Sequence, residues 1–351
     1  MSGYVYAGAG GWRGADKDVR TSGLYRMQTG SGEWESLRAG LPADVEVRAI
    51  MVRPDDPRTV YAGTQDGPYV STDGGDSWAS MNLPGDRRVV WSMCLHPTDP
   101  ATMYVGTEHT SVFRTRDGGA SWQPLPVPEP QGMLRQGFPM RVVRIALDQI
   151  DPQNVYVAME VGGVVRSLDG GDSWSDCNEP LLAMAREDRL KSSIISDLSH
   201  EGMLDSHAVT TSPAHPGALH LANRMGIFIS EDRGESWTEI GIGRFSPLTY
   251  SRDVQVSPHD PETMYAALSI ASISDAGSLY RSGDYGRSWQ RFDRGLSIDS
   301  TLMSIGQSPT SPDRLWCGAR RGQVFGTEDG GRSWSMHPLP RVEGIYAVAC
   351  G

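Results

Sequence analysis

The chain has 351 residues, with 41 Gly and 23 Pro and only 38% hydrophobic residues, which fits many short strands joined by tight turns. Its 32 Lys and Arg stand against 43 Asp and Glu, a formal net charge of −11, and no block of like charge offers a footprint for a phosphate backbone, so nucleic acid is not the expected partner. Cys94, Cys177, Cys317 and Cys350 form no CxxC pair, the segment Met1 to Gly8 shows no basic stretch followed by an apolar run and no 18 consecutive residues are apolar; the expectation is a cytoplasmic protein with reduced thiols and no membrane partner.

In chain order, Tyr4-Val-Tyr-Ala-Gly8 reads as a strand, followed by a long loop from Gly10 to Ser22 that carries Trp12, Arg13, Asp16 and Asp18. A degenerate turn ends at Gly32-Glu-Trp34. From Val47 the pattern becomes regular: a strand runs into a Pro-marked turn at Pro54 and Pro57, a second strand follows at Thr59 to Gly63, and a turn motif closes the unit at Ser71-Thr-Asp-Gly-Gly-Asp-Ser-Trp78. The strand and Pro-turn return from Val90, Val142, His207, Arg252 and Met303. The turn motif returns at Thr115 to Trp122, Ser167 to Trp174, Ser230 to Trp237, Ser282 to Trp289 and Thr327 to Trp334.

Seven tryptophans thus fall at 34, 78, 122, 174, 237, 289 and 334, a spacing of a four-stranded propeller blade. In each complete motif the Asp carboxylate (Asp73, Asp117, Asp169, Asp232, Asp284, Asp329) can accept backbone N–H bonds of the turn, the Gly supplies positive φ and the Trp buries its ring between sheets. These aspartates are read as structural. At the C-terminus, Gly344-Ile-Tyr-Ala-Val-Ala-Cys350 looks like a first strand without a second, the complement of Tyr4–Gly8. The fold expected is therefore all-β: a single seven-bladed propeller domain over 1–351, with blade 7 shared by residues 1–37 and 344–351 so that no sheet edge stays open.

The motif Ser/Thr-x-Asp-x-Gly-x-Ser-Trp resembles the Asp-box, or bacterial neuraminidase repeat, over almost the whole chain. That resemblance implies a propeller but not one activity, since such propellers include sialidases, xyloglucan-type hydrolases, sortilin-type receptors and the photosystem II assembly factor. Sialidases have six blades and an Arg-Ile-Pro element that is absent here. The xyloglucan hydrolases set their catalytic pair between two propellers, where this chain supplies one.

Aligning the first strands on their Pro-turns separates two kinds of position. Ile50, Met93, Ile145, Val209, Val254, Ile305 and Val348 are uniformly apolar, as packing between blades requires. Two residues earlier the set is Arg48, Trp91, Val143, His207, Arg252, Met303 and Tyr346, with Arg141, Arg144, Asp205, Tyr250 and Asp253 adjacent. Repeats selected only for packing would agree here, so their disagreement predicts a specific lining at one end of the channel.

In that lining Arg48, Trp91, Arg144, Arg252, Asp253 and Arg224 are candidates for binding a small anionic or polar ligand through paired N–H donors. His207, Asp205, Tyr346 and Glu160 are candidates for proton transfer, with Asp205 or Asp253 orienting His207. His109, Glu160, His200 and His207 are weak candidates for a divalent metal, as their spacing is no known ligand signature. Loops at Pro124 to Met140 and Asn178 to Ser206 exceed what a blade needs. In the second, Leu181, Leu182, Ala185, Leu190, Ile194 and Leu198 recur at helical spacing, predicting a short amphipathic helical insertion within 178–206 that either lies as a lid on the mouth or covers an apolar patch of the ring.

No GxSxG, HExxH or P-loop specifies a reaction. The leading expectation is a hydrolase or lyase with acid/base chemistry. The alternatives are a non-catalytic propeller that holds a protein partner, and a glycosidase using Asp205 with Glu160.

Overall fold

The computed structural model describes residues 3–11, 22–85, 89–134, 140–339, 342 and 344–351. Seven sheets of four antiparallel strands make the ring, and in each the strand nearest the axis is the first of its blade. Blade 1, for example, runs Val47–Val52, Val60–Thr64, Gly67–Ser71 and Ala79–Ser80. The other inner strands are Val90–Leu95, Val142–Leu147, Ser206–Thr211, Tyr250–Val256, Leu302–Gln307 and Ile345–Cys350. The last of these pairs with Tyr4–Ala9, in the register Val5↔Cys350 and Ala7↔Val348, and so joins the two ends of the chain in one blade.

The repeated turns hold themselves by a common set of hydrogen bonds. In the first, Asp73 Oδ1 accepts from Ser71 Oγ at 2.7 Å and from the Ser77 N–H at 3.0 Å, while Oδ2 accepts from Ser77 Oγ at 2.6 Å. Ser71 Oγ in turn accepts the Gly75 N–H at 2.8 Å, and Trp78 Nε1 donates to the Gly75 carbonyl. Asp117, Asp169, Asp232, Asp284 and Asp329 repeat the carboxylate's part. Both oxygens are occupied inside the turn, which accounts for these residues structurally. Arginines of the preceding blade then tie turns across the seams: Arg26 donates to the Gly74 carbonyl and Asp76, and Arg114 to the Gly170 carbonyl and Asp172.

The segment 178–206 departs from the single helix its apolar spacing predicts. It folds as a helix α1 at Asn178–Met184, a 3-10 turn at Asp188–Leu190 and a one-turn helix α2 at Glu201–Leu204. The reason is Glu201, fully buried, whose carboxylate takes the N–H groups of Ile194 and Ile195 and the Ser196 hydroxyl and so holds a compact loop where helical pairing would otherwise continue. Leu181, Ala185, Leu190, Met203 and Leu204 enter the core between blades 3 and 4, among Tyr156, Leu221 and Phe228. Leu198 is instead exposed. Much of the loop 10–22, with Trp12, Arg13, Asp16 and Asp18, and residues 135–139 lie outside the described residues. The four cysteines are unpaired, and among the described residues no helix is long and apolar enough to cross a membrane.

Hydrogen bonds to hydroxyls and N–H groups hold the turn carboxylates below their ordinary range, Asp117 and Asp329 at about 2. A depressed folded-state pKa gives stability that is complete above the unfolded value near ~4 and lost as pH falls through the folded value. The melting temperature should therefore fall steeply between about pH 4 and pH 2, and Asp117→Asn should flatten that dependence while lowering stability at neutral pH; an unchanged slope in a pH series of thermal melts would contradict this account.

Candidate functional site at the channel mouth

Each inner strand carries a β-bulge, and it falls at the same residue in every blade. The ladder between first and second strands skips Arg48, Trp91, Val143, His207, Arg252, Met303 and Tyr346. These are the residues at which the repeats disagree. An extra residue on one strand is unpaired and re-aims its side chain. All seven line one central cavity of about 380 Å³, which also reaches Pro54, Pro258 and Pro309 at the far end of the channel.

The inner strand is the free edge of its sheet, so alternate N–H groups have no partner in their own blade, and in three places the neighbouring blade provides one. The Ile145 N–H donates to Ser92 Oγ at 2.8 Å, the Val348 N–H to Ser304 Oγ at 3.0 Å and the Ile305 N–H to Asp253 Oδ2 at 3.0 Å. Asp253 is thereby given a different place from the one expected. Its fully buried carboxylate also accepts from Gln255 Nε2 at 2.9 Å and Arg144 Nη2 at 2.8 Å, and Asp205, not Asp253, stands beside His207.

On one side of the mouth, cations and rings alternate. The Arg48 guanidinium lies 4.9 Å from the centre of the Trp91 ring and 5.6 Å from that of Tyr346, and Arg141 lies 4.3 Å from Trp91. Trp91 and Tyr346 meet edge to face at 5.5 Å. Arg48 is paired with Glu46, Trp91 Nε1 donates to Glu108 at 3.3 Å, Arg141 donates to Glu160 at 2.8 Å, and the Tyr346 hydroxyl donates to the Gly11 carbonyl at 3.2 Å.

On the other side, α2 delivers Asp205 to His207. His207 Nδ1 lies 2.7 Å from the Ser251 carbonyl, an acceptor only, so this nitrogen carries the proton. Nε2 is left facing the Tyr250 hydroxyl at 3.2 Å and Asp205 Oδ2 at 3.4 Å, with Arg224 3.8 Å from the same carboxylate oxygen. When neutral, Nε2 accepts from Tyr250; when protonated, it donates to Asp205.

Burial drives the Glu160 carboxyl above its usual range, aided by Asp205 and opposed by Arg141. Burial acts on Asp205 in the same sense, but His207, Arg252 and Arg224 outweigh it and hold Asp205 below the usual range. Burial also pushes Tyr250 up to about 12. Arg252 loses hydration, yet Tyr250, Glu160 and Asp205 around it hold its pKa above the ordinary value. Among the described residues it has no carboxylate within ion-pair distance, unlike Arg48 and Arg144.

The three arginines expected to hold an anion together are therefore unequal. Arg48 and Arg144 are already paired, and Arg252 remains. The metal candidates do not converge either: His109 is exposed on a left-handed turn, His200 faces the Gly132 carbonyl, and Glu160 is paired with Arg141. Among the described residues no group of three His, Cys, Asp or Glu side chains is arranged to hold a metal ion. Nor does any residue of 178–206 line the cavity, so the segment seals a blade seam and contributes Asp205 at its end. Sequence reasoning missed Glu46, Gln255 and Gln307. Gln307 Nε2 donates to Gln255 Oε1 at 3.1 Å across the seam between two neighbouring inner strands, and both line the cavity.

Seven four-stranded blades, six complete Asp-box turns and a polar channel mouth define an Asp-box type seven-bladed β-propeller. A family model described as Sortilin-Vps10 (sortilin, neurotensin receptor 3) matches residues 66–180. Among solved structures the chain is similar to the GH74 xyloglucanase from Xanthomonas campestris, at 16% identity and a TM-score of 0.62 over 87% of this chain and 46% of that one. It is also similar to YCF48 from Cyanidioschyzon merolae, at 14% identity and a TM-score of 0.57 over 88% of this chain and 89% of that one. A structure of YCF48 bound to D1 peptide matches at 14% identity and a TM-score of 0.54, over 85% of this chain and 82% of that one. The chain spans less than half the length of the xyloglucanase, and at these identities the likeness establishes the fold. A comparison with curated protein sequences gives no match.

Removing the Asp253 carboxylate leaves the Ile305 N–H and the Arg144 guanidinium without their partner. Asp253→Ala should lower the unfolding free energy by about 3 kcal/mol, whereas Arg144→Met, at a partly exposed position, should cost clearly less. Urea denaturation of both variants distinguishes them, and equal losses would contradict this division of roles.

Proposed function

We propose that the channel mouth is the active site of an enzyme that acts on a small anionic or polar substrate by acid/base chemistry, as a hydrolase or a lyase. The observation that carries this reading is a pair of buried carboxylates driven in opposite directions beside one histidine: Glu160 upwards, Asp205 downwards. Two neighbouring carboxyls whose pKa values are pushed apart suit opposite roles, the raised one giving a proton and the lowered one stabilising the cation formed on receiving one. Hydrolysis and elimination both need that.

In this reading Arg252 takes the substrate's anionic group by a two-pronged guanidinium contact, since Glu160 and Asp205 act on it only from beyond ion-pair distance. His207 Nε2 receives the proton, with Nδ1 held by the Ser251 carbonyl and the resulting imidazolium stabilised by Asp205. Glu160 is the donor. Trp91 and Tyr346 form the wall against which the substrate is oriented.

A non-catalytic binding propeller is the second reading. It is favoured by the near full-length match to YCF48, one structure of which holds a peptide, in contrast to the partial match to the xyloglucanase. The same mouth would then hold a segment of a protein partner.

His207→Gln and Arg252→Met should each lower the rate on a substrate found by screening organic acids and sugars by about 10²–10⁴, with melting temperatures close to that of the parent. The pH profile should be bell-shaped. Activity needs Asp205 ionised and is lost as pH falls through its lowered pKa; it needs Glu160 protonated and is lost as pH rises through its raised one. Full activity in both variants, with a flat profile, would sink the catalytic reading.

A further inference from the structure

The mouth is polar, but the cavity beneath it is not uniform. Its lining also includes Met51, Met93, Ile305 and Val348, with Met303 at the level of Arg252 itself. The polar groups among them are tied to one another. Arg144 is held by Asp253, Gln255 Nε2 donates to Asp253 and the Ile305 carbonyl, and Gln307 Nε2 donates to Gln255 Oε1 and the Val256 carbonyl. Of the arginines Arg48, Arg144 and Arg252 at the mouth, only Arg252 has no carboxylate within ion-pair distance among the described residues.

From this distribution of charge and apolar surface we infer that the ligand is an amphipathic monoanion, a carboxylate on a compact apolar body, with its charge on Arg252 and its body in the methionine-lined chamber. The inference rests on the reading of the mouth as the ligand site and narrows the class of ligand. The Arg252 guanidinium, with no carboxylate within ion-pair distance among the described residues, matches one carboxylate in charge and in its two-pronged geometry, while a phosphate dianion would call also on Arg48 and Arg144, which are paired with Glu46 and Asp253. The volume of about 380 Å³ lies at the small end of the ~300–1,000 Å³ typical of small-ligand sites. Methionine side chains adapt to a body of irregular shape.

Calorimetric titration of the full chain with acetate, benzoate, 3-phenylpropionate, benzyl alcohol and inorganic phosphate tests this. 3-Phenylpropionate should bind at least about tenfold tighter than acetate, because of the apolar area it buries, and tighter than either phosphate or the uncharged alcohol. Arg252→Met, checked for folding by its thermal melt, should remove that binding. If acetate, phosphate and 3-phenylpropionate bind equally and all depend on Arg252, the mouth remains the ligand site and the apolar chamber has no part in it, which overturns the inference. If no anion binds, or 3-phenylpropionate binds the variant as well as the parent, the inference is overturned at its anchor, and the turnover of the His207→Gln variant then decides separately whether the mouth is catalytic.

Discussion

The antiparallel pairing of Ile345–Cys350 with Tyr4–Ala9 is the constraint on which the ring depends. A propeller is a curved row of sheets, and without that pairing the row would end in two exposed edges and the channel would have no seventh wall. The strand that closes the ring also brings Tyr346 opposite Trp91 and sends the Val348 N–H to Ser304. Closure and the shape of the mouth are one structural fact.

A second regularity builds on the first. Seven bulges at one level convert a row of strand residues into a ring lining the cavity, and N–H groups on the free edge of the inner strands are satisfied in three places by the preceding blade. This satisfaction separates two roles that look alike in one dimension. Asp253 and Arg252 are neighbours in the chain, yet Asp253 is spent on the Ile305 N–H and Arg144, while Arg252 faces the cavity.

The fold was legible because a turn needing Asp, Gly, Ser and Trp at fixed offsets leaves the same mark wherever it recurs, and the termini carried complementary halves of one blade. The level at which the bulges fall was legible for the opposite reason, since residues freed from packing are free to differ. The pairing of charges was not. Whether Arg48 meets a ligand or Glu46 depends on side-chain directions set by the bulge, and no periodicity encodes those. The helix expected within 178–206 failed on a similar point: Leu181, Ala185 and Leu190 do enter the core, but one buried carboxylate, Glu201, takes the N–H groups a longer helix would have used.

The central claim is that the ring of bulge residues is where this propeller meets its ligand. A crystal structure of the protein grown with an aromatic carboxylate tests it most directly. The account predicts the carboxylate within about 3 Å of the Arg252 guanidinium nitrogens, with the ring between Met303 and Val348. A carboxylate seated on the turn-bearing face, with ordered water alone beside Arg252, would contradict it.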